Sequence, residues 1–180
     1  MKRGNIIFLN GVSSSGKSTL ANALVRLMPS YFHMSLDDFD IFIGRMEDRE
    51  NNHLIPVETE YFFHRTIAMF SDRGIHVVVD HILHNSFTRE DCFNVLADYP
   101  VLFVGVHCPL DELERREKVR GDRDIGQAKV QLEVVHKVEI YDIEVNTLLE
   151  SLENNTNKII AALNNIEHHN GLLQTSKQYK

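Results

Sequence analysis

Nothing in this sequence restricts the fold as strongly as the segment GVSSSGKS at residues 11–18. It matches the pattern GxxxxGK[ST] at every fixed position. A short apolar run at residues 6–9 precedes it, and apolar residues at helical spacing follow it from 19 to 28, before Pro29. A buried strand, a glycine-containing turn and a helix are the setting that this pattern requires. The sequence therefore predicts a phosphate-binding loop.

Each residue type in this loop has a chemical task. Glycines let backbone N–H groups turn toward phosphate oxygens, and the positive end of the following helix points at them. Lys17 is expected to reach the terminal phosphates, and Ser18 to offer its hydroxyl to Mg²⁺. A chance turn of glycines and serines would not call for a lysine here. We therefore expect ATP and Mg²⁺ as cofactors, with the nucleotide contacting Gly11, Val12, Ser13, Ser14, Ser15, Gly16, Lys17, Ser18 and Thr19.

The rest of the chain alternates between short apolar runs and longer helical patterns. Further apolar runs lie at residues 33–36, 77–79 and 101–106. Helical stretches lie at 62–70, ended by Gly74, and at 86–97. This alternation predicts an α/β fold with a five-stranded parallel sheet and helices on both faces. Alternating residues from Tyr141 to Val145 indicate a half-exposed fifth strand at the sheet edge.

The length of 180 residues suits one domain, and we treat residues 1–180 as a single unit. The polar stretch 47–53 reads as a loop, and apolar residues between 148 and 166 trace one face of a last helix. The polar tail, residues 171–180, is expected to be frayed.

Charge and composition exclude several classes of protein. With 19 basic and 26 acidic residues the chain carries a formal charge of −7, which argues against a general nucleic-acid binder. Cys92 and Cys108 lack metal-site spacing, and a disulfide framework is not expected. Apolar runs of six residues or fewer exclude a membrane span, and the N-terminus lacks the apolar core of a secretory signal. We therefore expect a cytoplasmic protein, and the oligomeric state stays open.

Acidic residues follow two of the predicted strands. Asp80 closes the third strand, where an acid can orient magnesium, although it could instead cap the next helix or turn. His81, next in sequence, could face a substrate or fill space. Asp37 and Asp38 follow the second strand, and one of them could accept the proton of a substrate hydroxyl. We favour Asp37, and the alternative is that both acids cap a helix that begins near Phe39.

Four of the eleven arginines lie close together, at positions 115, 116, 120 and 123. At helical pitch, Arg116, Arg120 and Arg123 share one face, and Gly121 lets the segment bend. A lid of this kind would close over ATP, so we predict that Arg116 contacts the nucleotide and that Arg120 and Arg123 act in catalysis. The alternative is an exposed helix whose arginines pair with neighbouring acids.

These features resemble one family, chloramphenicol 3-O-phosphotransferase and its relatives, which are small P-loop kinases with an adenylate- or shikimate-kinase-like fold. The resemblance covers most of the chain. It is carried by IFLNGVSSSGKS (7–18), Asp37, VVVD (77–80), and VGVHC, RGDR, VVH and YDIEVNT between residues 104 and 147.

The resemblance implies that Lys17 binds phosphate and that the acid after the second strand is the base that activates a primary hydroxyl. It also implies that Arg120 and Arg123 contact ATP or the migrating phosphoryl group. A count without gaps from the phosphate loop selects Asp38 as the base, whereas the spacing to the next apolar residue favours Asp37. Residues 45–60, where such folds build the acceptor pocket, have no obvious counterpart in the family.

Three functions are consistent with these residues. The leading hypothesis is an ATP-dependent kinase that acts on a hydroxyl of a small molecule, chloramphenicol among the candidates. A kinase of the same fold could instead use a metabolic acceptor such as a sugar acid, shikimate, a nucleotide or an amino sugar. A nucleotide-dependent switch or binding protein is the third, and it is disfavoured because the sequence lacks the NKxD motif for guanine.

Overall fold

The computed structural model describes residues 2–120 and 126–179, with position 120 described by its backbone. Its centre is a five-stranded sheet in the order β2-β3-β1-β4-β5, and every neighbouring pair of strands is parallel. The strands are β1 (Ile6–Asn10), β2 (Tyr31–Ser35), β3 (His76–His81), β4 (Val101–His107) and β5 (Ile143–Asn146). The predicted α/β class, the parallel sheet and the edge position of the fifth strand are confirmed.

Helices connect the strands and cover both faces of the sheet, as parallel crossovers require. They are α1 (Lys17–Leu27), α2 (Leu36–Gly44), α3 (Thr59–Asp72), α4 (Ser86–Leu96), α5 (Leu110–Arg120), α6 (Gln127–Leu132), α7 (Leu152–Leu163) and α8 (Gly171–Tyr179), with a 3₁₀ turn at Ile166–His168. No helix in the described ranges is long and apolar enough to cross a membrane.

The central strand shows why the apolar runs are continuous rather than alternating. Ile6 and Phe8 contribute to the core beneath α3, α4 and α8, whereas Ile7 and Leu9 contribute to the core beneath α1 and α7. All four side chains are fully buried. Each contributes about 1.5 to 3 kcal/mol through burial, so a strand covered on both faces needs apolar residues at every position.

Several predicted boundaries shift in the structure. β2 ends at Ser35, and Leu36 already belongs to α2, so Asp37 and Asp38 lie in the first turn of a helix. The predicted helix from 148 to 166 is shorter, because Ser151 caps α7 through a hydrogen bond from Asn154 N. The polar stretch 47–53 is a turn, closed by an antiparallel bridge between Asp48 and His53.

The prediction of a frayed C-terminal tail is wrong. Residues 171–179 form α8, which packs against α4 and β4, with Leu172 almost fully buried. The carboxylate of Asp142 links the start of this helix to β4. Its Oδ1 accepts from the backbone N–H groups of Asn170 and Gly171, and its Oδ2 accepts from the N–H group of Phe103 in β4. The polar composition of the tail concealed this tertiary anchor.

Replacing Asp142 with alanine is expected to lower the free energy of unfolding by about 2 to 4 kcal/mol, because three backbone N–H groups lose a charged acceptor. Urea denaturation followed by circular dichroism measures the change. Glu90→Ala, on the exposed side of α4, is the control and should change stability by less than about 0.5 kcal/mol. An Asp142→Ala variant as stable as this control would contradict the anchoring role.

Candidate active site

A cleft of about 620 Å³ opens at the carboxyl ends of β1 and β3, where parallel α/β sheets bind their ligands. We call its two walls the P-loop side and the acidic side. The P-loop side is formed by residues 13, 14 and 16–19 of the loop and α1, by residues of α5 and α6, and by Thr147, Glu150, Leu152 and Asn155. The acidic side is formed by Ser35, Leu36, Asp37, Asp40, Glu60, Asp80, His81, Ile82 and His84. The loop, Asp37 and Asp80 thus face one cavity.

The phosphate loop connects β1 to α1 with little room for side chains at its two glycines. Gly16 has φ +98°, a left-handed conformation that favours glycine, and a Cβ there would lie 3.2 Å from Thr147 Cγ2. A Cβ at Gly11 would lie 2.5 Å from the carbonyl oxygen of Val106. Both glycines of the motif are therefore required by the backbone path itself.

The three serines of the loop have buried hydroxyl oxygens, those of Ser13, Ser14 and Ser15, that find no hydrogen-bond partner in the described ranges. Buried polar groups are ordinarily hydrogen-bonded, so three orphaned hydroxyls in one turn indicate a place for a polar ligand. Lys17 extends over the same turn: its Nζ donates to Val12 O at 3.0 Å and lies 3.9 Å from Asp80 Oδ1.

Residues from the second half of the chain hold the loop in shape. Thr147 Oγ1 donates to Ser15 O at 2.7 Å, and Arg116 Nη1 donates to Thr147 Oγ1 at 3.0 Å. On the other side, Gln131 Oε1 accepts from Ser13 N–H at 2.7 Å. The sequence did not identify Thr147 or Gln131 as site residues, because their link to the loop exists only in the folded chain.

The block that resembles the family most closely supports the strand in front of the loop. His136 Nδ1 lies 2.7 Å from the Tyr141 hydroxyl, and Asn10, the last residue of β1, donates its Nδ2 to the same hydroxyl at 2.8 Å. Burial, with the neighbouring His107 and Lys17, lowers the pKa of His136 to about 3, and burial raises the pKa of Tyr141. These neutral groups act as hydrogen-bonded packing behind the site.

Asp80 and Ser18, the predicted magnesium ligands, both line the cleft. Asp80 is 6% exposed and lies within β3, one residue before its end. It does not cap α4, because Asn85 does so through its side chain. Besides Lys17, its neighbour is His33, whose Nε2 lies 3.9 Å from Asp80 Oδ2.

The two candidate bases differ in position. Both belong to the first turn of α2, whose N-cap is Ser35. The alternative in which the two acids cap a helix that begins near Phe39 is therefore wrong, because the helix begins at Leu36. Asp37 lines the cleft, and Asp38 is absent from its described lining. Acids in a first helical turn are favourable beside the helix dipole, which by itself does not distinguish the two.

Two further acids, which the sequence reasoning missed, stand on the same side. Asp40 is one turn along α2 from Asp37. Glu60 lies in the first turn of α3, where its Oε1 accepts from Thr88 Oγ1 at 3.3 Å. Desolvation raises the pKa of Asp40, and the charges of Glu60 and Asp37 add to the increase against a hydrogen bond from Thr59. The spacing of three between Asp37 and Asp40 was the available signal.

Beneath the acidic side, buried histidines form a chain of polar contacts. His81 Nε2 lies 3.2 Å from His64 Nε2, and His64 Nδ1 lies 2.7 Å from Asp91 Oδ2. Burial lowers the pKa of His81 well below its ordinary value. Although burial acts in the opposite direction, hydrogen bonds from His64 and Arg65 lower the pKa of Asp91 overall.

The arginine segment, residues 115–123, is described only in part, since the Arg120 side chain and Arg123 lie outside the described residues. Arg115 and Arg116 line the cleft, and both donate to Glu112. These two hydrogen bonds lower the pKa of Glu112 to about 2. Such pairing agrees with the alternative of a salt-bridged helix for Arg115, whereas Arg116 also contacts the phosphate loop.

The two ends of the arginine segment are joined by a buried carboxylate. Glu117, fully buried in α5, accepts from Gly126 N–H at 2.9 Å and from Ala128 N–H at 2.7 Å. The start of α6 is therefore fixed to α5 on the P-loop side of the cleft.

Residues 4–164 match the model of a protein family described as chloramphenicol phosphotransferase-like protein. Over 175 residues the chain is 30% identical to a Mycobacterium tuberculosis H37Rv protein that carries the name Putative O-phosphotransferase Rv2636. That match spans 82% of this chain and 76% of the relative.

Solved structures share the fold at low sequence identity. The Mycobacterium tuberculosis APS kinase CysC, in complex with AMPPNP and APS, superposes with a TM-score of 0.66 at 19% identity, over 91% of this chain and 99% of that one. A gluconokinase from Sinorhizobium meliloti gives 0.64 at 20% identity, over 93% and 99%. The chain thus shares its fold with these two kinases.

Proposed function

The chain belongs to the chloramphenicol phosphotransferase-like family, and on that premise we propose that it is a kinase transferring the γ-phosphate of ATP to a hydroxyl of a small molecule. The observation that carries this proposal is the shared cleft: the orphaned hydroxyls of Ser13 and Ser14 lie with Lys17 on one wall, and Asp37 lies on the other. A nucleotide and a hydroxylated acceptor can meet between these walls.

The P-loop side suits the nucleotide. The N–H groups of the loop, the N-terminus of α1 and Lys17 supply positive potential for the phosphates. Ser18 and Asp80 offer oxygen ligands of the kind that Mg²⁺ prefers, and these two residues would hold it. When bound, Mg²⁺ would neutralise charge on the β- and γ-phosphate oxygens. Arg116 holds the loop in position by donating to Thr147, and it lines the cleft where it would contact the nucleotide.

Asp37 is the base in this proposal. Its carboxylate accepts the proton of the acceptor hydroxyl while that oxygen forms a bond to the γ-phosphorus, and the bond from phosphorus to the β,γ-bridging oxygen breaks. The products are a phosphate ester and ADP. Arg120 and Arg123 stabilise the negative charge on the phosphoryl group in transfer.

Replacing Arg120 or Arg123 with alanine is expected to lower kcat by about 10²-fold or more with a smaller effect on ATP affinity, because their interactions strengthen in the transition state. Lysine at either position should remain clearly impaired, since it lacks the planar fork that grips two phosphate oxygens. Steady-state kinetics at saturating ATP measure both. Arg26→Ala, on the exposed end of α1, is the matched control. Normal kcat in all four variants would remove both arginines from the mechanism.

Two kinds of acceptor are candidates for this cleft. Chloramphenicol is the one that the family suggests, and a metabolite bearing a hydroxyl is the alternative. An ATP-consumption screen against chloramphenicol and a panel of hydroxylated metabolites, each with a control lacking acceptor, tests the activity directly. ATP consumption that no acceptor stimulates would contradict the proposal of a small-molecule kinase.

A further inference from the structure

The two sides of the cleft differ in charge. The cations that line it, Lys17, Arg115 and Arg116, belong to the P-loop side. On the acidic side, the residues that the structure describes include Asp40 and Glu60 and no lysine or arginine. A carboxylate or phosphate on the acceptor would meet like charge on this wall, whereas an ammonium group would be attracted to it.

The acids of this wall are crowded. Partial desolvation and the negative charges of Glu60 and Asp37 raise the pKa of Asp40, with Thr59 and Arg49 acting in the opposite direction. Carboxylates that repel one another are stabilised in their charged form when a cation lies beside them. A positively charged ligand therefore gains more on this wall than a neutral one.

A second, independent observation comes from His81. His81 lines the cleft and is 2% exposed, yet its Nδ1 has no hydrogen-bond partner within the described part of the chain. The other ring nitrogen, Nε2, is occupied by His64 at 3.2 Å. A buried ring nitrogen left unpaired beside a cavity indicates a ligand that completes its hydrogen bonding.

The contacts behind His81 hold its ring in place. Asp91 accepts from Arg65 Nη1 at 2.9 Å, and its Oδ2 lies 2.7 Å from His64 Nδ1. His64 Nε2 in turn lies 3.2 Å from His81 Nε2. These contacts occupy Nε2 of His81, so Nδ1 is the ring nitrogen left for a ligand.

We propose that the acceptor is a hydroxylated amine whose ammonium group lies beside Asp40 and Glu60 and whose hydroxyl forms a hydrogen bond with His81 Nδ1. This inference rests on the proposed function, because it names the substrate class of the same site. The carboxylates of Asp40 and Glu60 accept hydrogen bonds, so the ligand that fits them presents donors and carries no anionic group on this side.

Isothermal titration calorimetry of the full chain with AMPPNP and Mg²⁺ tests the proposal at pH 7. The probes form a matched pair: chloramphenicol, a neutral amide, and 2-amino-1-(4-nitrophenyl)propane-1,3-diol, the same skeleton with a free ammonium group. Glucosamine and gluconate provide an amine and an anion on a sugar skeleton. We expect each amine to bind about 10-fold or more tightly than its neutral or anionic partner.

The variant Asp40→Asn combined with Glu60→Gln should remove this preference, so that each amine binds about as tightly as its neutral or anionic partner. Glu90→Gln, an exposed acid outside the cleft, is the control and should leave both affinities unchanged. Amide or anion binding equal to amine binding in the unmodified protein would overturn the proposal. A preference that survives the double variant would overturn its assignment to these two acids.

Nitrogen-15 NMR of the histidine rings tests the His81 part without turnover. We expect the Nδ1 resonance of His81 to shift when the amine binds. A His81 Nδ1 resonance that the amine leaves unchanged would overturn that part of the proposal.

The kinase function and the acceptor class fail in different ways. If the amines bind preferentially but ATP is not consumed with any acceptor, the proposed function fails and the ligand class stands. If phosphate is transferred only to neutral or anionic acceptors, the function stands and the ligand class is wrong.

Discussion

Lys17→Ala is expected to reduce phosphotransfer by about 10³-fold or more while the protein still folds. The lysine Nζ bonds the loop at Val12 O and stands 3.9 Å from Asp80, so in a nucleotide complex it is the point charge beside the phosphates. The neutral variant keeps the loop backbone, which Thr147 and Gln131 hold independently. A coupled assay of ADP release measures the rate, and circular dichroism checks the fold.

Lys177→Ala, an exposed lysine in α8, is the matched control for the loss of one positive charge and should have normal activity. Turnover by Lys17→Ala within about 2-fold of the unmodified protein would contradict the assignment of the loop as the catalytic phosphate site.

Asp37→Asn is expected to bind ATP normally and to lower kcat by about 10² to 10⁴-fold, because the amide cannot accept a proton in the transition state. The substitution preserves the size of the side chain and its place in the first turn of α2. Stopped-time assays of phosphate ester formation give kcat, and calorimetry with AMPPNP gives nucleotide affinity.

Asp38→Asn provides the comparison, since the two acids are neighbours in one helical turn and only Asp37 lines the described cleft. It should retain most of the activity. An inactive Asp38→Asn variant beside an active Asp37→Asn variant would assign the base to Asp38 and show that the count without gaps had the correct register.

The architecture could be predicted because its signals are local. The run Ile6 to Leu9 has apolar residues for both faces of the sheet. Gly74, with φ +77°, follows the end of α3. The glycines of the phosphate loop stand where the backbone leaves no room for a side chain. The C-terminal helix could not be predicted in this way. Its anchor is the carboxylate of Asp142, almost thirty residues earlier in the chain, and no local pattern marks that contact.

The site residues also differ in whether a local signal or only tertiary packing identifies them. Lys17, Ser18 and Asp80 were predicted to share a site because the motif and the strand ends bring them together, and they line one cleft. Glu60 and His64 were missed, since the helical pattern of α3 gives no indication of which residues reach the cleft or the buried contacts beneath it. Which residues of a helix face a neighbouring loop is decided by tertiary packing.

The order of the strands has a consequence for how the protein is made. β1 leaves the ribosome first but lies in the middle of the sheet, between strands that are complete only at residues 81 and 107. At synthesis rates of about 5 to 20 residues per second, this apolar strand waits roughly 5 to 20 s for both partners. The cleft is completed later still, since its lining extends to Asn155. A ligand of the cleft can therefore stabilise the chain only after residue 155 has been made, and the earlier steps of folding must proceed without it.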